Sequence, residues 1–298
     1  MRLSEKIILA LRNSLETAIF FATMAAKEDF CNYIAKAGAN AMNPSRCLTI
    51  LGNGPSLAKE LPQLIVSEHW KQADVMAVNF FALSDEFTIV KPKYYVISDP
   101  MFFRKAGHSE RIEKFYEALR DKVDWPMTLY VQYYNPEKFD YAEAIGHNSN
   151  IRIVKFHTIL YKGFRNVEFW CYRRGLGSGN FGTVIQNGEF IGILLGYKSI
   201  ELYGVDHTLL EGLMVDEQNR LCRCQSHYYD KEPAAPKPIY FNATNPPRPY
   251  SMYTYLAETA ELFRGHEVLR DFAAEQGVKI INRTRGSMID AYERNPML

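Results

Sequence analysis

Three stretches of the chain combine residue types that can hold an anion or move a proton. The first is Gly52-Asn53-Gly54-Pro55-Ser56, which follows an apolar run at residues 47–51 and precedes a helical pattern from Leu57. Glycines let a backbone turn tightly and approach a ligand, and a helix starting there offers unpaired N–H groups to a phosphate. Pro55 suits a first helical turn and Ser56 adds a hydroxyl donor. No Gly-Lys-Ser/Thr follows and the spacing is not Gly-x-Gly-x-x-Gly, so neither a Walker loop nor the dinucleotide fingerprint is present. The second stretch, Gly177-Ser178-Gly179, also precedes a helical segment and predicts a second anion-binding turn, with Arg173 and Arg174 just before it. The third is Tyr203-Gly204-Val205-Asp206-His207, with Ser226-His227-Tyr228 downstream. Asp206, His207 and His227 can supply an acid/base pair or a nucleophile for group transfer. Their structural alternative is Asp206 capping a turn and His227 as an ordinary loop residue. The spacing of these groups matches no recognised metal site. Asn79 and Asp99 each end an apolar run, where they can hold a sugar hydroxyl or a base edge, or start a turn. Arg283 and Arg285 are further phosphate candidates.

The elements that must position these groups follow from periodicity. Short apolar runs at 47–51, 75–78, 94–97, 128–131, 151–154, 199–203 and 277–282 predict strands, and 3.6-residue patterns at 57–70, 108–122, 182–195 and 252–275 predict helices between them. Strand, loop, helix and strand in repetition predict an α/β, Rossmann-like, mostly parallel sheet with helices on both faces. Such sheets bind ligands at the carboxyl ends of their strands, where all three stretches fall. Residues 208–250, with six prolines among tyrosines and asparagines, predict a lid. Residues 1–45 predict a helical extension ahead of a catalytic domain at 46–298.

Composition bounds the function. The 298 residues carry 35 Lys and Arg against 34 Asp and Glu. That balance offers no global field for a polyanion and excludes a nucleic-acid coat. Five scattered cysteines without a Cys-x-x-Cys knuckle predict neither a disulfide framework nor a zinc site and fit a reducing compartment. In the N-terminal segment, charges at Glu5, Lys6, Arg12, Glu16 and Lys27 interrupt the apolar runs, which argues against a span and a signal peptide. Its amphipathic pattern leaves packing on the body, peripheral membrane contact and a homo-oligomer contact open.

In order along the chain, Gly52-Asn53-Gly54-Pro55-Ser56-Leu57, Asn79, Asp99-Pro100-Met101-Phe102-Phe103, Gly177-Ser178-Gly179, the run from Leu195 to Asp206 and the last predicted strand resemble bacterial sialyltransferases of glycosyltransferase family 42. The resemblance covers residues 47–230 and 277–290. It implies a Rossmann-like nucleotide domain and metal-independent transfer of an acidic sugar, of sialic acid or Kdo type, from a CMP-activated co-substrate to a bacterial surface glycan. No further cofactor is implied. Carried over by position, Asn53, Asn79, Ser178 and Gly179 hold the nucleotide, and Gly52 and Gly54 allow its approach. Asp99 stands where the family has asparagine. Thr208 stands where the family has a tyrosine, and Lys231 where it has its histidine base. His227 is therefore the first choice of base and His207 the second, with Asp206 as orienter or nucleophile. The first glycine turn also resembles the 6-hydroxymethylpterin diphosphokinase-like family, which implies ATP and magnesium. A catalytically silent glycan-assembly subunit is the third alternative. The enzyme implied by the first resemblance works in the cytoplasm or at the inner face of the cytoplasmic membrane.

Overall fold

Runs of apolar residues covered on both sides are the signature of parallel strands. In the computed structural model, which describes residues 3–38, 47–104, 109–178, 182–224, 235–241 and 247–295, they become one sheet. The strands are β1 (Cys47–Leu51), β2 (Ala73–Val78), β3 (Tyr94–Val96), β4 (Met127–Gln132), β5 (Ile151–Phe156), β6 (Ser199–Tyr203), the short lid strands β7 (Leu213–Val215), β8 (Leu221–Arg223), β9 (Lys237–Pro238), β10 (Tyr240–Phe241) and β11 (Arg248–Pro249), then β12 (Lys279–Asn282) and β13 (Glu293–Arg294). Eight of them form the sheet in the order β13-β12-β6-β1-β2-β3-β4-β5, with every pairing parallel. The helices are α1 (Leu3–Lys27), α2 (Tyr33–Gly38), α3 (Leu57–Ser67), α4 (His69–Gln72), α5 (Phe87–Val90), α6 (Glu110–Lys122), α7 (Tyr141–Ala144), α8 (Arg165–Arg173), α9 (Val184–Leu194) and α10 (Met252–Glu275).

Alternation along each strand divides the core between two faces. Leu48, Ile50, Met76, Val78 and Val96 pack with Phe190 and Ile191 of α9, Tyr172 of α8 and Leu269 and Phe272 of α10. Leu51, Val75, Ala77, Tyr95 and Leu129 pack on the other face with Leu57, Leu61 and Leu64 of α3 and Phe115 and Leu119 of α6. Each such side chain contributes roughly 1.5–3 kcal/mol by burial, so the sheet sandwich dominates stability. Helix α9 packs close against the strands through its glycines. A Cβ at Gly192 would stand 2.6 Å from Leu48 Cδ2, and one at Gly188 3.0 Å from Met76 Sδ.

The structure departs locally from the sequence pattern in three places. The pattern at 57–70 breaks at Glu68, which takes the left-handed region (φ 54°) and separates α3 from α4. Helix α8 was not expected, because the charges of Arg165-Asn166-Val167-Glu168 hide its buried Phe169, Cys171 and Tyr172. In the lid, β7, β8 and β9 form one antiparallel sheet and β10 and β11 another.

At the N-terminus, α1 buries only Phe20 and Met24, against Tyr161, Cys171 and Leu176. Its residues 3–12 are all exposed. Contrary to the reading from interrupting charges, α1 is long and apolar enough to cross a membrane by length and composition (mean hydropathy 1.3), a test that signal sequences and core helices also meet. Helix α2 adds Ile34 and Ala37 to the sheet core.

Candidate functional site

The chain runs from β1 outward through β2 to β5, then returns to β6 on the other side of β1. That reversal opens a crevice at the carboxyl ends of β1 and β6, where doubly wound sheets hold their ligands. A cleft of about 490 Å³ lies there, lined among others by Asn53, Gly54, Asn79, Asp206, His207 and Arg223.

The first glycine turn forms one wall, and its glycines serve a contact within the chain. Gly52 N donates to Tyr203 O at 2.7 Å and Gly54 N to Gly204 O at 2.8 Å. A Cβ at Gly52 would stand 2.3 Å from Gly204 O, and one at Gly54 1.8 Å from Asp206 Oδ2. The loops after β1 and β6 thus lie backbone against backbone. Asp206 then accepts from Ser56 N at 3.2 Å and from Ser56 Oγ at 2.8 Å. Where the sequence predicts a phosphate on these donors, the N-terminus of α3 receives the protein's own carboxylate. Burial raises the Asp206 pKa, while the Ser56 bonds pull it down. Glu60 clamps the same crossing, accepting from Gly204 N at 2.7 Å and Arg285 N at 3.0 Å. Asp206 and Ser56 are therefore a structural pair, in keeping with the capping alternative for Asp206.

Three other groups face the cleft with unmet hydrogen-bonding capacity. Asn53 donates from Nδ2 to Val78 O at 3.1 Å, which leaves its Oδ1 buried without a partner. Asn79 adopts φ 48° and its carbonyl accepts from Tyr95 Oη at 2.6 Å, while its Oδ1 is likewise unpartnered. His207 adopts φ 51°, and its buried Nε2 has no partner. Burial, with a smaller repulsion from His266, lowers its pKa to about 3. An unpartnered buried polar atom costs about 1–3 kcal/mol, and three of them around one cleft make it the candidate ligand site.

The remaining predicted residues lie elsewhere. Gly177 (φ 73°) packs under Phe20 of α1, and Ser178 donates from Oγ to Thr158 O at 3.1 Å. Neither lines the cleft. Asp99 is exposed and caps its own turn through Met101 N at 2.9 Å. Arg173 pairs with Glu275, Arg174 stacks on Trp170 at 3.8 Å, and Arg283 pairs with Glu201 at 2.6 Å. Gly179 and His227 lie outside the described residues, as does Lys231. Among the described residues, no group of three or more His, Cys, Asp or Glu converges as a metal site.

No family model matches the chain, and no curated protein matches it. Among solved structures, that of the MAf glycosyltransferase from Magnetospirillum magneticum AMB-1 aligns with 86% of the chain at 12% identity and a TM-score of 0.46. The chain spans 34% of that protein's length.

Two lining groups escaped the sequence reading. Thr183 caps α9, its side chain accepting from Ile185 N at 3.3 Å, and directs the start of that helix into the cleft. A threonine ahead of an apolar helical run is a legible cap signal. Arg223 comes from β8 of the lid, carried to the cleft by tertiary folding alone, where its guanidinium donates to Tyr255 Oη at 2.5 Å.

Proposed function

We propose that this protein is a glycosyltransferase that moves an acidic sugar of sialic acid or Kdo type from a CMP-activated donor to a bacterial surface glycan. The observation that carries the reading is the set of unpartnered buried atoms at the switch-point cleft, Asn53 Oδ1, Asn79 Oδ1 and His207 Nε2. The two amide oxygens are acceptors suited to a cytosine amino group or ribose hydroxyls. The start of α9 and Arg223 suit the donor's anionic groups. His207, which lines the cleft, is our candidate for the base on the acceptor hydroxyl, with His227 of the lid segment as the alternative. The exposed apolar residues of α1, among them Leu3, Ile7, Leu11 and Leu15, support action at the cytoplasmic face of a membrane.

Thermal-shift measurements against CMP, CDP, UDP, ATP with magnesium, and pterins test this assignment. Selective stabilisation by CMP is expected. A response only to ATP with magnesium would move the protein to the diphosphokinase class, and no nucleotide response would make it a silent assembly subunit.

A further inference from the structure

Beside the switch-point cleft lies a second cavity that no motif marks. Its volume is about 590 Å³, within the range of small-molecule sites. The two cavities share Leu209 and Arg223 as a common wall, and Gly182 borders the second where Thr183 borders the first. The start of α9 therefore stands between them.

Helix α10 supplies another wall. Tyr255, Glu258, Thr259 and Leu262 recur at three- and four-residue steps, which aligns them along one side of a helix, and all four line the cavity. Tyr255 is held from two sides, its Oη donating to Leu209 O at 2.8 Å and accepting from Arg223. Tyr250, at the end of the lid, meets Tyr255 edge to face with centroids 6.0 Å apart. Its Oη donates to Glu258 Oε2 at 2.7 Å, which leaves Oε1 of that carboxylate to accept from a ligand. Glu261, one turn further on, pairs with Arg264 at 3.3 Å.

This lining has the chemistry of a sugar site. The C–H face of a pyranose packs on apolar and aromatic surface, while the hydroxyls at its edge donate to carboxylates. Charge then selects among sugars. The described lining holds the carboxylates of Glu258 and Glu261 against the one guanidinium of Arg223, and that guanidinium lies on the wall shared with the first cleft. A ligand bringing its own carboxylate would meet like charge here.

We propose that this cavity is an acceptor subsite that holds a neutral sugar through Tyr250, Tyr255 and Glu258 and turns away one that carries a carboxylate. The name acceptor rests on the transferase reading. Under that reading the subsite admits a neutral glycan and excludes the acidic product, so each acceptor chain receives a single acidic residue.

Saturation-transfer NMR on the full chain, with and without CMP, tests the subsite with methyl β-glucoside, methyl β-galactoside and methyl α-mannoside as probes. At least one is expected to bind. Its matching uronide, in which a carboxylate replaces the exocyclic CH₂OH, is expected to bind at least about 5-fold more weakly. Glu258→Gln should weaken the neutral probe about 5–10-fold, and Glu258→Lys should reverse the order, so that the uronide binds more tightly. Glu258 is exposed on α10, so both variants are expected to fold; if one does not, the other and the native uronide comparison carry the test. A uronide bound by the native chain as tightly as the neutral probe overturns the proposal, as does a neutral probe bound equally by the native chain and the Glu258 variants. CMP bound with no neutral probe bound refutes the subsite and leaves the donor reading intact. A probe bound through Glu258 without any binding of CMP keeps the sugar site and refutes the donor reading.

Discussion

Two histidines of this protein, His157 buried in the body and His207 half-buried at the cleft, behave in opposite ways. His157, at the end of β5, has both ring nitrogens engaged, Nδ1 with Glu28 Oε2 at 2.6 Å and Nε2 with Cys31 O at 2.9 Å. Burial works against its charge, but the bonds to Glu28 and Cys31 outweigh it and raise the pKa. The pair fastens the segment between α1 and α2 to the sheet. His207 lacks a partner at Nε2, is pushed down to about 3 and borders the cleft. Completeness of partnering separates the two: where every polar atom is satisfied the histidine stabilises, and where capacity is left open beside a cavity the ring stays neutral and can pair with a ligand.

The largest expected effect is structural. His157→Ala leaves Glu28 buried without its cation and should cost about 3–5 kcal/mol in denaturant unfolding; a loss below about 1 kcal/mol would erase the distinction. His207→Asn should change stability by less than about 1 kcal/mol, because asparagine tolerates positive φ and no bond is lost at Nε2. The same substitution should lower transfer about 100-fold or more. Retained transfer would give the role of base to His227.

Stability against pH separates the two sites by sign. The raised pKa of His157 makes its contribution complete below about pH 6.5 and lost as pH rises through the folded value. The depressed pKa of His207 makes its contribution complete above about pH 6.5 and lost as pH falls toward about 3. Asp206 and Glu60, both raised by burial, act oppositely on the acid limb, so only the difference between native and His207→Asn curves isolates the histidine. His207→Asn should flatten that limb and His157→Gln the neutral-to-alkaline one, as read from unfolding midpoints.

Much of the frame was legible in the sequence. β6 and α10 begin and end where the apolar periodicity does, and the Gly52–Ser56 turn sits at the switch point because a strand, a glycine turn and a helix start are local signals. What was not legible depends on contacts between distant segments. Gly54 is glycine because Asp206, distant in the chain, occupies the space a Cβ needs. Ser56 looks like a phosphate donor until that carboxylate is seen on it. Glu189, the only acid in the apolar α9, carried a faint signal of a buried polar contact, whereas His266 and Tyr292 join it only through the packing of α10 and the C-terminal segment.

The central claim, that the cleft between the β1 and β6 loops receives a cytidine nucleotide through open amide oxygens, is tested most directly by titrating CMP calorimetrically into the native chain and Asn79→Gly. Glycine keeps the positive φ of Asn79 and removes only its side chain. The account predicts saturable binding to the native protein, weakened about 5–10-fold in Asn79→Gly by the loss of one hydrogen bond worth about 1 kcal/mol, with unfolding stability unchanged. Binding of equal strength in both proteins, or ATP bound as tightly as CMP, would contradict it.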